Sequence, residues 1–170
     1  MARQYVQSPI GLLEIVADQR KLRSLRAVQE RGEDFPNPVT QRMQEQLEEY
    51  FSGKRTEFDM IAMADGTPFQ HQVWDAVSRI PHGKVATYGQ LAQAMGSPTA
   101  CRAVANAVGE NPLLLLTPCH RVVAADGLGG FSAGAEAKTL LLALEGVEIP
   151  EKGGFSENFL FTFEEDCAII

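Results

Sequence analysis

A cysteine becomes a nucleophile when its surroundings favour the thiolate, and the run Thr117-Pro118-Cys119-His120-Arg121 sets one cysteine beside an imidazole and a guanidinium. His120 is the natural general base and Arg121 a neighbouring positive charge. Adjacent residues of an extended chain point to opposite sides, so His120 is expected to reach the thiol through a bridging water. A histidine used this way needs a third group to orient it. Glu145, an acid closing a leucine-rich helical run, is the candidate, because a carboxylate among apolar neighbours requires a partner. Taken alone, the Cys-His pair reads more readily as a core thiol beside a satisfied polar residue, since free cysteine is among the most buried residue types. Cys101 and Cys167 read as inert thiols on that ground. Three cysteines with no C-x-x-C spacing argue against a disulfide framework and against a structural zinc site.

The elements that must hold these groups are marked by period and punctuation. Leu12–Ala17 and Leu22–Val28 are short apolar or alternating runs separated by the polar Asp18-Gln19-Arg20-Lys21, which suits a hairpin. After Asn37-Pro38, Val39, Met43, Leu47, Tyr50 and Phe51 recur at helical spacing until Gly53. Thr67-Pro68-Phe69-Gln70 is a capping box with a first-turn proline, and Phe69, Val73, Trp74, Val77 and Ile80 then line one helix face. Thr87-Tyr88-Gly89-Gln90 repeats the box, and Gly96 ends that short helix. Ser97-Pro98 is expected to start the next almost at once, with Ala100, Ala103, Val104, Ala107 and Val108 as its apolar face; two helices so closely joined suggest a helix-turn-helix. Leu113–Leu116, bracketed by Pro112 and Pro118, reads as a buried extended segment leading to Cys119. A glycine-rich loop, 126–134, precedes a final helix over Ala135–Glu145 with Leu140, Leu141 and Leu144 inward, and Phe159–Phe163 reads as a strand.

These signals give an α+β fold: an N-terminal α/β domain over 1–62, an antiparallel sheet with a helix, and a mainly helical domain over 63–150 containing the helix-turn-helix. Residues 151–170 form an acidic, aromatic tail. The chain has 170 residues and a net charge of -7. Residues 151–170 carry one basic and five acidic side chains, whereas 67–150 carry five and six. Any contact with nucleic acid would therefore use a nearly neutral surface and show a shallow salt dependence. There is no apolar run of about 18 residues and no signal-peptide core of about 7–15, so the expectation is a cytoplasmic protein with no membrane partner.

Phe69-Gln70 with Val73-Trp74, Ile80-Pro81 with Gly83, Tyr88-Gly89 with Leu91-Ala92, Arg102-Ala103-Val104, Asn111-Pro112, Pro118-Cys119-His120-Arg121-Val122, and Lys138 with Leu141-Leu142 and Glu145 form an ordered set. Together they make Thr67–Gly146, about half the chain, closely resemble the catalytic domain of the O6-alkylguanine-DNA alkyltransferases. The Ser8-Pro9-Ile10-Gly11 start resembles that family's N-terminal domain more weakly. The resemblance implies that Cys119 takes the alkyl group from O6 of guanine, and that of O4-alkylthymine, in a single irreversible transfer. It gives His120 the thiol proton through a water, Glu145 the imidazole, Tyr88 the departing base, and Asn111 the turn beneath the site. Arg102 would fill the stack left by a flipped-out nucleotide. The small residues Ala100, Cys101, Ala103 and Ala105 would admit the minor groove of double-stranded DNA, and Phe131 and Ser132 would face the substrate. A monomer is implied, with neither cofactor nor metal.

Two positions depart from the family's usual pattern. Ala105 stands where glycine is common after Arg-Ala-Val, and Phe131 stands where several members carry tyrosine, which bears on rate and on the alkyl groups accepted. Two other classes compete with the transferase. A non-catalytic damage sensor of the alkyltransferase-like type usually carries tryptophan at the Cys119 position, where this chain keeps cysteine. A thiol hydrolase would need an oxyanion hole, for which no clear motif exists.

Overall fold

The structure, a computed structural model, describes residues 1–163, so Cys167 lies outside the described residues. The chain is α+β and divides into two compact units. The first is Met1–Asp65 with Pro112–Leu116; the second is Gly66–Asn111 with the chain from Thr117 onward.

In the first unit the expected hairpin is present as β2 (Gly11–Ala17) and β3 (Leu22–Ala27). A further strand, β1 (Ala2–Ser8), pairs antiparallel with β2 from Ala2↔Ala17 to Ser8↔Gly11, making a β1-β2-β3 meander. Its composition hid it. Only Tyr5 and Val6 are buried along β1, so no period of two is visible, and the ladder rather than the pattern makes it a strand. Helix α1 (Pro38–Phe51) starts on a reciprocal capping box between Asn37 and Thr40, and the Asn37 amide also donates to the Asp18 carbonyl at 2.8 Å. Met43, Leu47 and Tyr50 from α1 join Leu13, Ile15, Leu22 and Leu25 in the core. Each such side chain contributes about 1.5–3 kcal/mol of burial.

The run Leu113–Leu116 is buried for its first three residues, yet it is not simply extended. Leu25 bonds to the Pro112 carbonyl and receives Leu114, and the chain then reverses through Leu115 at φ 71, a left-handed conformation unusual for leucine.

The second unit holds α2 (Pro68–Val77), α3 (Tyr88–Ala94), α4 (Cys101–Gly109) and α5 (Ala135–Leu144). Two short strands, β4 (Ala86–Thr87) and β5 (Val122–Val123), pair in parallel. Thr67 and Thr87 cap α2 and α3 through their expected boxes with Gln70 and Gln90. Trp74 donates from its indole to the Ala107 carbonyl at 2.9 Å, joining α2 to α4.

Four expectations require correction. Helix α4 begins at Cys101, after a turn in which Ala100 bonds back to Ser97, so Ser97 caps nothing. Residues Cys119–Arg121 are a 3-10 turn, with Arg121 N–H bonded to the Pro118 carbonyl, and are not extended. The face of α5 is rotated: Ala137, Lys138, Leu141 and Leu142 are buried while Leu140 is exposed, because the stripe also includes Lys138 and Glu145. Phe159–Phe163 is no regular strand. A 3-10 turn over Glu157–Phe159 gives way to a single parallel bridge between Val85 and Leu160. Among the described residues no helix is long and apolar enough to cross a membrane.

Candidate active site

Cys119 opens the 3-10 turn directly after Pro118, and its side chain is 5% exposed. It lies in the wall of a cavity of about 380 Å³, with Tyr88, Ala105, Asn106, Phe131 and Ser132 among the other lining residues. That volume lies within the roughly 300–1,000 Å³ of small-ligand sites. Of the residues singled out in the sequence, Tyr88, Ala105, Cys119, Phe131 and Ser132 meet at this cavity. Ala100, Cys101, Arg102 and Ala103 sit on or beside α4 without lining it; Arg102 and Ala103 are exposed there.

Asn111 donates from Nδ2 to the Thr117 carbonyl at 2.8 Å and to Cys119 Sγ at 3.2 Å. One amide therefore holds the bend before the cysteine and touches the sulfur. Burial pushes the Cys119 thiol up, against the Asn111 amide and the Lys138 charge, both of which favour the thiolate. The resting group is a protonated thiol. Its proton has to leave as the sulfur reacts.

The 3-10 turn carries His120 into the interior, where it is 1% exposed, and Nε2 faces Glu145 Oε2 at 2.8 Å. Glu145 is the residue that closes α5, 5% exposed. Burial lowers the imidazole below its ordinary 6.5, while the bond to Glu145 opposes that shift, so His120 is neutral near pH 7. A neutral ring whose Nε2–H donates to a carboxylate leaves Nδ1 with a free lone pair. His120 Nδ1 is buried with no hydrogen-bond partner in the protein. It is the one basic nitrogen of this cluster still able to accept a proton.

Arg121 does not serve the thiol, as its place beside the cysteine suggests. Its Nε and Nη2 bond Glu145 Oε1 and Oε2 at 2.7 and 2.9 Å, and Nη1 donates to the Ile80 carbonyl at 2.8 Å. Burial alone would raise the Glu145 carboxyl, but the bonds from His120 and Arg121 hold it well below the usual carboxylate range. The ion pair Arg121–Glu145 is electrically neutral overall, so it orients His120 without forcing a proton onto it.

The cation acting on the thiol is Lys138, which position along the chain does not suggest. It is fully buried on α5, with Nζ donating to the Val122 carbonyl at 2.6 Å and the Gly130 carbonyl at 3.0 Å. Burial lowers its pKa to about 8, opposed by the charge of Cys119. A signal existed in the sequence. Lys138 stands three and four residues before Leu141 and Leu142 and seven before Glu145, so all four share one helix face. Tyr88, first residue of α3, directs its hydroxyl at the same Gly130 carbonyl across 3.5 Å, a weak contact between two residues that line the cavity. Burial raises its pKa, as does the neighbouring Cys119.

Residues 68–147 match the model of the 6-O-methylguanine DNA methyltransferase DNA-binding domain, and residues 1–64 that of its ribonuclease-like domain. The chain belongs to this methyltransferase family. A methylated-DNA–protein-cysteine methyltransferase of Mycolicibacterium paratuberculosis is 42% identical over 147 residues, 82% of this chain and 89% of that one. The crystal structure of the Mycobacterium tuberculosis O6-methylguanine methyltransferase is similar at a TM-score of 0.78 and 37% identity, covering 88% of this chain and 95% of that one. The same organism's protein in complex with DNA gives 0.78 and 38%, over 85% and 92%. The family's DNA-binding model ends at Val147, so the segment after it is not accounted for by the family match.

Proposed function

We propose that this protein repairs DNA by moving the alkyl group of O6-alkylguanine, and that of O4-alkylthymine, onto its own Cys119. The observation that carries the reading is the pairing of a cavity-lining thiol with a buried Cys-His-Glu set whose one unpartnered nitrogen is a proton acceptor. The Cys119 sulfur attacks the alkyl carbon in line as the carbon–O6 bond breaks. The thiol proton passes through a water to His120 Nδ1, while Glu145, held by Arg121, keeps Nε2–H in place. Tyr88 donates to the departing guanine, which otherwise leaves as a poor anion. Asn111 supports the sulfur and the bend beneath it. The product is a thioether, which offers water no good leaving group, so each molecule acts once.

A carbon inside a duplex is out of reach, and the nucleotide enters the cavity flipped out at a cost of a few kcal/mol. In this reading a monomer binds through the minor groove with α4. Ala100, Cys101, Ala103 and Ala105 let the backbone approach, and exposed Arg102 occupies the vacated stack. Phe131 and Ser132 cap the flipped base. The catalytic domain corresponds to residues 63–150, with 1–62 as a separate domain.

Incubation with a duplex containing O6-methylguanine, followed by intact-protein mass measurement, tests this. The expected result is a gain of one methyl group per molecule, absent in Cys119→Ser. Binding without a mass change would leave a damage sensor instead, and continued turnover of a thioester would leave a hydrolase.

A further inference from the structure

We propose that residues 148–163, beyond the family's domain model, are a working part of the alkyl-transfer site, with Phe155 as a positioning residue for Tyr88 and the substrate loop. The proposal rests on the roles given above to Tyr88 and to residues Gly130–Ser132. The segment is not a loose appendage. Phe155 is 8% exposed and packs in one apolar cluster with Val85, Val123, Leu142 and Val147. Leu128, Ile149, Phe159 and Leu160 cover the same cluster.

Some of its contacts fall on the two chain segments that lead to Tyr88 and to Gly130–Ser132 in the cavity lining. On one side, Val85 N–H donates to the Phe159 carbonyl at 2.8 Å and the Val85 carbonyl accepts from Phe161 N–H at 2.7 Å. The segment thereby adds a third, parallel piece of chain to the β4–β5 pair. Tyr88 follows β4 with no residue between, since Thr87 is both the end of the strand and the cap of α3. On the other side, Gly154 passes so close to Ala125 that an added Cβ would lie 2.5 Å from the Ala125 carbonyl oxygen. Ala125 and Leu128 open the loop that continues to Gly130, whose carbonyl faces the Tyr88 hydroxyl. At Gly129, φ 77, a Cβ would lie 3.1 Å from the Tyr88 ring, so the two segments meet with little slack.

β4 has two residues and the loop has no regular structure, so neither fixes its own position strongly. The segment bonds Val85, the residue directly before the first, and packs against Ala125 and Leu128 of the second. Although Val123, Leu142 and Val147 of the same cluster flank it in the chain, the catalytic set also has buried bonds of its own, from Asn111 to Cys119 and from His120 and Arg121 to Glu145. Disturbing the segment should therefore misplace the base-binding walls and leave the thiol chemistry intact.

The test uses the full-length chain and two rates: methyl transfer from duplex O6-methylguanine, and alkylation of Cys119 by iodoacetamide, read at its own peptide. Phe155→Ala is expected to slow transfer about tenfold or more, the scale of a small misplacement of reacting groups, with thiol alkylation changed by less than about twofold. Phe155→Leu should restore most of the loss. In a Tyr88→Phe background, Phe155→Ala should add little, because both changes then act on the same contact. Unchanged transfer in Phe155→Ala, or a parallel fall in both rates, overturns the proposal. Should Phe155→Ala fail to fold, Gly154→Ala carries the same two readouts, its single methyl pressing on the Ala125 carbonyl. A wild-type chain that transfers no methyl at all refutes the function proposed above, a separate result from wild-type transfer that ignores these substitutions.

Discussion

A histidine that is to take a proton at neutral pH has to be neutral there beforehand, and the setting of His120 meets that condition by burial. Because its pKa is lowered from 6.5, the fraction able to accept a proton stays high as pH falls through 6.5. The transfer rate should accordingly be flat from about pH 8 to 6.5 and decline only below, as measured in single-turnover assays across pH. A midpoint at 6.5 or higher would mean that the base is a solvent-like histidine. Stability follows the same signs. The unfolded chain protonates this histidine at about 6.5 and the folded one only lower, so folding loses free energy as pH drops below 6.5. Glu145, depressed from 4.5 by His120 and Arg121, adds a further loss below 4.5. Lys138, also lowered by burial, acts in the same direction at the alkaline end, so stability rises with pH there. Its burial penalty is relieved between about 8 and 10.5, where the unfolded chain still holds the proton.

Helix α4 illustrates what an element contributes beyond its residues. Val104, Ala107 and Val108 fix one face in the second unit, and Trp74 of α2 bonds to the Ala107 carbonyl. The opposite side is left with small side chains and Arg102. If that arginine fills the stack of a flipped base, Arg102→Ala should slow transfer from duplex DNA by about tenfold or more, since unstacking costs a few kcal/mol that nothing else offsets. Transfer from the free base O6-methylguanine, which needs no flipping, should be nearly unaffected. Equal losses on both substrates would remove Arg102 from that role. The capping boxes that start α2 and α3 were legible because each is satisfied within three residues. The start of α4 was not, because Ala100 caps without a side chain and the preceding turn carries Ser97 out of place.

At the scale of the whole molecule, charge decides how DNA is approached. Of the five basic residues between 67 and 150, Arg121 and Lys138 are buried and engaged in the site, which leaves Arg79 and Arg102 exposed and Lys84 half-buried with its ammonium on the Asn158 carbonyl. A surface with so few cations neutralises few phosphates. Binding to duplex DNA should therefore fall with salt at a log–log slope of about -3 or shallower, given about -0.9 per phosphate. A slope approaching -6, read by fluorescence anisotropy over a salt series, would mean that a larger basic surface is engaged. Weak, sequence-independent contact suits a protein that must search all DNA for a rare lesion.

The Pro118-Cys119-His120-Arg121 run, the capping boxes of α2 and α3 and the candidate Glu145 were written in the sequence, because adjacency and helical spacing are properties of the chain itself, whereas Asn111 entered through the family resemblance. The tertiary structure alone decided what those groups do to one another. It turned Arg121 from the thiol to Glu145 and made buried Lys138 the cation acting on the sulfur. It also rotated α5 by its polar residues and bonded the segment after Val147 to Val85. Each of these is a pairing of desolvated groups far apart in sequence. Which buried charge meets which partner is settled only when the chain closes around both.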